Sequence, residues 1–129
     1  MGIEENGLSR RIIEAAIEVH RTLGGPGLLE GVYEEGLCWE LGQRGLIVKR
    51  QHSCPIRYKG IELGAPLRMD LLVNDLVIVE CKAVAEMAPI FEAQLLTYLR
   101  VTGLRLGLLL NFGQRHMKDG IRRVVNGLD

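Results

Sequence analysis

The run Leu76-Val77-Ile78-Val79-Glu80-Cys81-Lys82-Ala83-Val84 sets two charges inside a stretch of otherwise apolar, largely β-branched residues. Such a run reads as a strand buried on both faces, and because side chains alternate across a strand, Glu80 and Lys82 share a face. Burying a carboxylate and an ammonium is costly unless each is paired or coordinated. The chain must therefore build a sheet around this segment and compensate its charges. A second strand, Leu67 to Val73, carries Asp70, and the turn at Asn74-Asp75 folds it back antiparallel so that Asp70 comes beside Glu80. Two adjacent carboxylates favour protonation of one of them, unless a hard cation such as Mg2+ takes their oxygens as ligands. Lys82 would then orient or polarise water. The competing reading is a Glu80–Lys82 salt bridge on an edge strand, with Asp70 merely solvating the end of its own.

Downstream, Pro89 to Arg100 has a helical pattern in which Phe91, Leu95 and Leu99 recur at four-residue spacing, Pro89 suits the first turn, and Gly103 lies beyond the end. Gln94 and Tyr98 are one turn apart and project from one face beside the apolar stripe. That face is positioned to look towards the charged strand. Taken alone, the two residues would read as an ordinary core aromatic and a solvated amide.

Asp70, Glu80-Cys81-Lys82 and Gln94-Leu95-Leu96-Thr97-Tyr98, in this order and on these elements, resemble the PD-(D/E)XK nuclease superfamily, especially its RecB-like branch. Gly27-Leu28-Leu29-Glu30-Gly31-Val32-Tyr33 is similar to the pattern that names the GxxExxY family within it. The resemblance extends from the first helix through Asn111-Phe112-Gly113. It implies an α/β fold with a restriction-endonuclease-like mixed β-sheet flanked by helices. It also implies hydrolysis of nucleic-acid phosphodiesters, DNA in preference to RNA, with Mg2+ or Mn2+ as cofactor. The implied metal ligands are Asp70 and Glu80 with a helix-borne acid, for which Glu30 and Glu34, one turn apart, both compete. Glu30 is preferred as the Glu of the motif, with Tyr33 packing or hydrogen bonding beside it. Catalytic roles would fall to Lys82 near the attacking water, to Gln94 and Tyr98 as positioning groups, and to Glu30.

The 129 residues, 47% of them hydrophobic, suit a single domain over residues 1–129. Cys38, Cys54 and Cys81 are dispersed, with no C-x-x-C pair and no histidines at zinc-ligand spacing. They read as free thiols, and three of them cannot supply the four ligands of the iron–sulfur cluster carried by some RecB-like nucleases. Cys81 points away from Glu80 and Lys82, as core filler. The start of the chain is acidic and polar, unlike a signal peptide, and Leu106 to Leu110 is too short for a membrane span, so a cytoplasmic protein without membrane association is expected.

Sixteen basic and sixteen acidic residues cancel, which excludes a strongly cationic nucleic-acid coat protein. The distribution is uneven. Residues 41–60 carry Arg44, Lys49, Arg50, Arg57 and Lys59 without an acid, while Glu30, Glu34, Glu35 and Glu40 crowd the preceding helix. Arg115, His116, Lys118, Arg122 and Arg123 form a second basic cluster. Arg50, Arg68, Arg115 and Lys118 are the candidate phosphate contacts, with a solvated end segment as the plainer reading of the last cluster.

The remaining elements follow from periodicity and breakers. Ser9 caps a first helix with a stripe of Ile13, Ala16, Ile17 and His20. A second helix runs from Leu28 to Leu41, buried partly through Leu37 and Trp39. Strands fall within Leu46–Tyr58, Ile61–Val73 and Arg105–Phe112, with a turn at Lys59-Gly60, and Ile121–Val125 adds an edge strand or short helix. Exposed apolar residues on the first helix offer a homodimer surface. Two other functional classes stay open: a catalytically silent nucleic-acid-binding module, and a structural or assembly protein whose acidic pocket binds a metal.

Overall fold

The β4–β5 hairpin is the centre of the molecule. In the computed structural model, which describes residues 3–128, β4 (Leu67–Val73) and β5 (Val77–Lys82) pair antiparallel across the Asn74-Asp75 turn. Both turn residues have positive φ, +52° and +55°, the geometry of a two-residue hairpin loop whose twist matches the strands it joins. β1 (Val48–Cys54) lies outside β4, while β6 (Leu106–Asn111) and then β7 (Ile121–Val125) lie outside β5, giving the order β1-β4-β5-β6-β7. Among the described residues only the β5–β6 pair is parallel. A parallel neighbour needs a crossover, and α3 (Pro89–Thr102) supplies it.

The sheet is covered on both faces. α1 (Ile3–Thr22) and α2 (Glu30–Gln43) bury Leu8, Ile12, Ala15, Val19, Leu37 and Leu41 against Val77, Val79 and Cys81 of β5 and Leu106, Leu108 and Leu110 of β6. On the other face α3 buries Leu95 and Leu99 against Leu67, Met69, Leu72, Ile78 and Leu109. The result is a mixed sheet between helices, an α/β fold of the restriction-endonuclease-like kind. β5 is a central strand buried along nearly its whole length, which disposes of an edge-strand placement for Glu80 and Lys82.

Several expected boundaries move. α1 starts at Ile3 with Glu4 and Glu5 in its first turn, where carboxylates favour the positive end of the helix dipole, so Ser9 is a buried interior residue and not a cap. Its buried stripe is Leu8, Ile12, Ala15, Ala16 and Val19, and Ile17 is left exposed. One cluster of exposed large apolar side chains lies around α2, at Leu28, Leu29, Val32 and Trp39. Trp39 is thus exposed and does not help bury its helix. The strands expected over 46–58 and 61–73 are each interrupted. Pro55 closes the first, β2 (Arg57–Tyr58) and β3 (Ile61–Glu62) form a separate small hairpin about Lys59-Gly60, and Gly64-Ala65-Pro66 breaks the run before β4. Ile121–Val125 is an edge strand. No helix among the described residues is long and apolar enough to cross a membrane.

Candidate active site

The β4–β5 ladder stops at Leu71 and Val79. One step further on, two carboxylates stand in for it: Glu80 Oε2 accepts the Asp70 backbone N–H at 2.8 Å, and Asp70 Oδ2 accepts the Cys81 N–H at 2.9 Å. The strands splay there, and the alternation of β4 slips by one residue. Met69 and Leu72, three apart, both pack on the α3 face, while Leu71 and Val73 pack on the other. This seam places Asp70 within reach of elements on both faces of the sheet.

From the α1/α2 face comes Glu34, buried, which accepts Arg50 Nε at 2.7 Å and Gln51 Nε2 at 3.0 and 3.1 Å. Gln51 also reaches Asp70 Oδ1 at 3.3 Å, tying the two carboxylates together through one amide. Its backbone sits at φ +50° in the middle of β1, a conformation that disfavours a residue with a Cβ and that persists where surroundings over-determine it. Nothing in the sequence signals Gln51, because its partners lie 17 and 19 residues away. Glu30 stands in the first turn of α2, exposed, with the Ala83 N–H as a donor and with Lys82, Asp70 and Glu34 as charged neighbours. Both candidate helix acids therefore border the seam, but Glu34 is already neutralised by Arg50.

From the α3 face come Lys82 and the Gln94–Tyr98 pair. Lys82 Nζ lies 4.4 Å from the centre of the Phe91 ring, a cation–π contact, and makes no salt bridge among the described residues. No ion pair with Glu80 compensates it. Gln94 Nε2 donates to Tyr98 Oη at 3.1 Å, and burial together with the negative field of Glu80 and Asp70 raises the Tyr98 phenol.

The electrostatics follow from burial. Desolvation is the main reason that the Glu80 carboxyl is pushed up to about 8, with the neighbouring Asp70 charge adding to it. Asp70 and Glu30 are raised as well, again first by burial, with Lys82 opposing. No fully buried side-chain oxygen or nitrogen lacks a partner among the described residues, so the second Glu80 oxygen, which accepts no hydrogen bond, faces accessible space. Among the described residues no three His, Cys, Asp or Glu side chains converge as a ready-made metal cage.

This order of elements, with an Asp and a Glu-x-Lys meeting across a splayed hairpin and a Gln/Tyr helix above them, has a counterpart among known families. The sequence profile of the PD-(D/E)XK nuclease superfamily matches residues 6–124. The chain belongs to that superfamily. No curated protein and no solved structure shows significant similarity to it. In this PD-(D/E)XK protein the acidic pair sits at the hairpin seam, and the following turn is fixed by Asn111. That side chain accepts the Val84 and Gly113 N–H groups at 3.0 and 2.9 Å and donates to the Val84 carbonyl at 2.9 Å.

Tyr33 performs the corresponding service for Glu30. Its hydroxyl donates to the Gly25 carbonyl at 2.7 Å and accepts the Leu28 N–H at 3.0 Å, while its ring stacks on Phe112 at 4.8 Å. The loop that leads into α2 is thereby pinned. Tyr33→Phe keeps the stack and loses both hydrogen bonds, so it is expected to cost about 1–3 kcal/mol in urea unfolding and to accelerate exchange of the Leu28 amide. Unchanged exchange there would show that the loop is held by other contacts.

The candidate phosphate contacts are not gathered in one place. Arg50 is committed to Glu34. Arg68 is exposed on β4, two residues from Asp70 and opposite Ser53. Arg115 and Lys118 line a cavity at the end of α1.

Proposed function

We propose that this chain is a metal-dependent phosphodiesterase acting on nucleic acid, DNA in preference to RNA, with Asp70, Glu80 and Glu30 as the cation's protein ligands. The carrying observation is the seam itself. It buries two carboxyl groups whose affinity for protons is raised first by burial, with the Asp70 charge adding to that of Glu80, and among the described residues no cationic side chain lies within salt-bridge distance of either. A purely structural pair of charges would carry its counter-charge with it. Hard oxygen donors, one with an oxygen facing accessible space, fit Mg2+ or Mn2+, cations that prefer oxygen ligands and keep bound waters beside them. When bound, such a cation supplies a Lewis acid that lowers the pKa of water and offsets charge on the phosphoryl oxygens.

The chain's own residues do the rest. Lys82, held over Phe91 and free of a carboxylate partner, presents its ammonium at the rim of the seam, where it orients the attacking water and stabilises charge developing on the phosphate. The Tyr98 hydroxyl, fixed by Gln94, donates towards the same space. Glu30 is preferred to Glu34 as the third acid because its carboxylate has no guanidinium on it. Gly27, Glu30 and Tyr33 serve this arrangement as the GxxExxY pattern implies.

A catalytically silent nucleic-acid-binding module is the second reading, favoured by the commitment of Glu34 to Arg50. Labelled single-stranded, double-stranded and branched DNA and RNA, incubated with Mg2+, Mn2+ or EDTA, separate the two. Cleavage that requires metal and vanishes in a folded Asp70→Asn variant is the expected result. Intact substrates throughout, with wild-type protein shown to be folded, would shift the reading to the silent module. A metal-induced melting shift alone decides nothing, since any ligand of the native state produces one.

A further inference from the structure

The cavity at the end of α1 belongs to no part of the seam. It encloses about 520 Å3 between the last turn of α1, the Gly24-Gly25 turn and the short 3-10 turn Met117–Gly120. Its apolar surface comes from Ile17, Met117 and the buried His20 ring, and its rim from Arg21, Arg115 and Lys118. Among the described residues no acidic side chain lines it. Arg21 is held by Glu18, but Arg115 and Lys118 have no carboxylate partner among the described residues. The carbonyls of Val19, His20 and Arg21 at the helix end are taken by the N–H groups of Leu23, Gly25 and Gly24, so the negative end of the helix is largely closed.

The cavity is linked to the seam through Phe112, whose N–H donates to the Lys82 carbonyl at 2.7 Å. His20 donates through Nε2 to the Gln114 carbonyl at 2.9 Å, its ring lies 6.2 Å from Phe112, and Phe112 stacks in turn on Tyr33. Tyr33 holds Gly25, a cavity residue, on the loop that ends at Glu30.

We propose that this cavity is a subsite for one unpaired nucleotide, its base against Ile17, Met117 and His20 and its phosphate on Arg115 and Lys118, so that the substrate is single-stranded or frayed where it leaves the seam. The volume is that of a small-ligand pocket and suits one nucleotide, whereas a duplex cannot enter it. Cations without carboxylate partners supply the phosphate attraction, and an imidazole face with apolar neighbours supplies sequence-tolerant contact to a base. The inference rests on the nuclease reading for its substrate but not for its test.

Binding is measured in EDTA, where no cleavage occurs, with a nucleoside monophosphate, the matching nucleoside, inorganic phosphate, and single-stranded and duplex oligonucleotides as probes. The monophosphate is expected to shift the amide resonances of His20, Gly25 and Met117, and to do so more strongly than nucleoside or phosphate. Arg115→Glu and Lys118→Glu are each expected to weaken single-strand binding about tenfold and to lower its salt dependence by about one phosphate contact. Ile17→Trp, at a half-exposed position that tolerates bulk, fills the cavity and should block the monophosphate without unfolding the protein. Phosphate binding as tightly as the nucleotide, resonances that do not move, or equal losses for single strand and duplex would each overturn the proposal. Cleavage of DNA with no nucleotide bound at the cavity would sink this inference and leave the nuclease reading standing. Nucleotide binding without cleavage of any substrate would do the reverse.

Discussion

Lys82→Ala is expected to slow single-turnover cleavage by about 10^3-fold while leaving the protein folded, because the ammonium is assigned to the water and the transferring phosphate, and such a group contributes on that scale. The structural cost is small. Lys82 is only partly buried, and the contact it gives up with Phe91 is worth about 0.5–1 kcal/mol. Phe91→Leu provides the control: it removes the same contact and should change stability by a similar amount, with far less effect on rate. A Lys82→Ala enzyme that retains a tenth of wild-type activity would remove the lysine from the chemistry. Lys82→Arg is not a rescue, since a planar fork cannot replace a compact ammonium held over a ring.

Glu80→Gln should make the metal-free protein more stable at high pH. The folded carboxyl titrates near 8 against an ordinary value of 4.5, because burial first and Asp70 second penalise its charge. Between those values the folded state keeps a proton that the unfolded chain has lost, so stability falls as pH rises through the window, and the full penalty is present above it. Glutamine keeps an acceptor for the Asp70 N–H without the charge. At pH 9 the variant is expected to exceed wild type by on the order of 3 kcal/mol in urea unfolding, with little difference at pH 4.5. Asp70 is also raised, first by burial, and contributes a slope of the same sign in both proteins. Mg2+ is expected to restore wild-type stability at pH 9 and to leave the variant unchanged. Parallel pH profiles for the two proteins would refute this account of the seam.

Much of this was legible in the residues. The charged β5 run, the Asn74-Asp75 turn and the Pro89–Gly103 helix each carry strong local signals, and together they place Asp70, Glu80, Lys82, Gln94 and Tyr98 around one region. What could not be read were choices settled by tertiary partners. Ser9 has a capping side chain, yet α1 extends past it because Leu8 and Ile12 bury on one stripe. Trp39 is the largest apolar residue on α2, yet Leu37 and Leu41 take the core face and leave it outside. Arg50 reads as a free cation in a basic segment until Glu34 arrives from another element, and Gln51 reads as nothing at all.

The carboxylates at the seam have a use beyond chemistry. The Asp70 and Cys81 amide protons are each donated to an oxygen of the opposite acidic residue. Their exchange rates and chemical shifts therefore form a built-in gauge of the occupancy and charge of the site, readable in an untagged protein with no substrate present. The same wiring makes alanine a poor probe at these two positions, since it would strand an amide that asparagine or glutamine still satisfies.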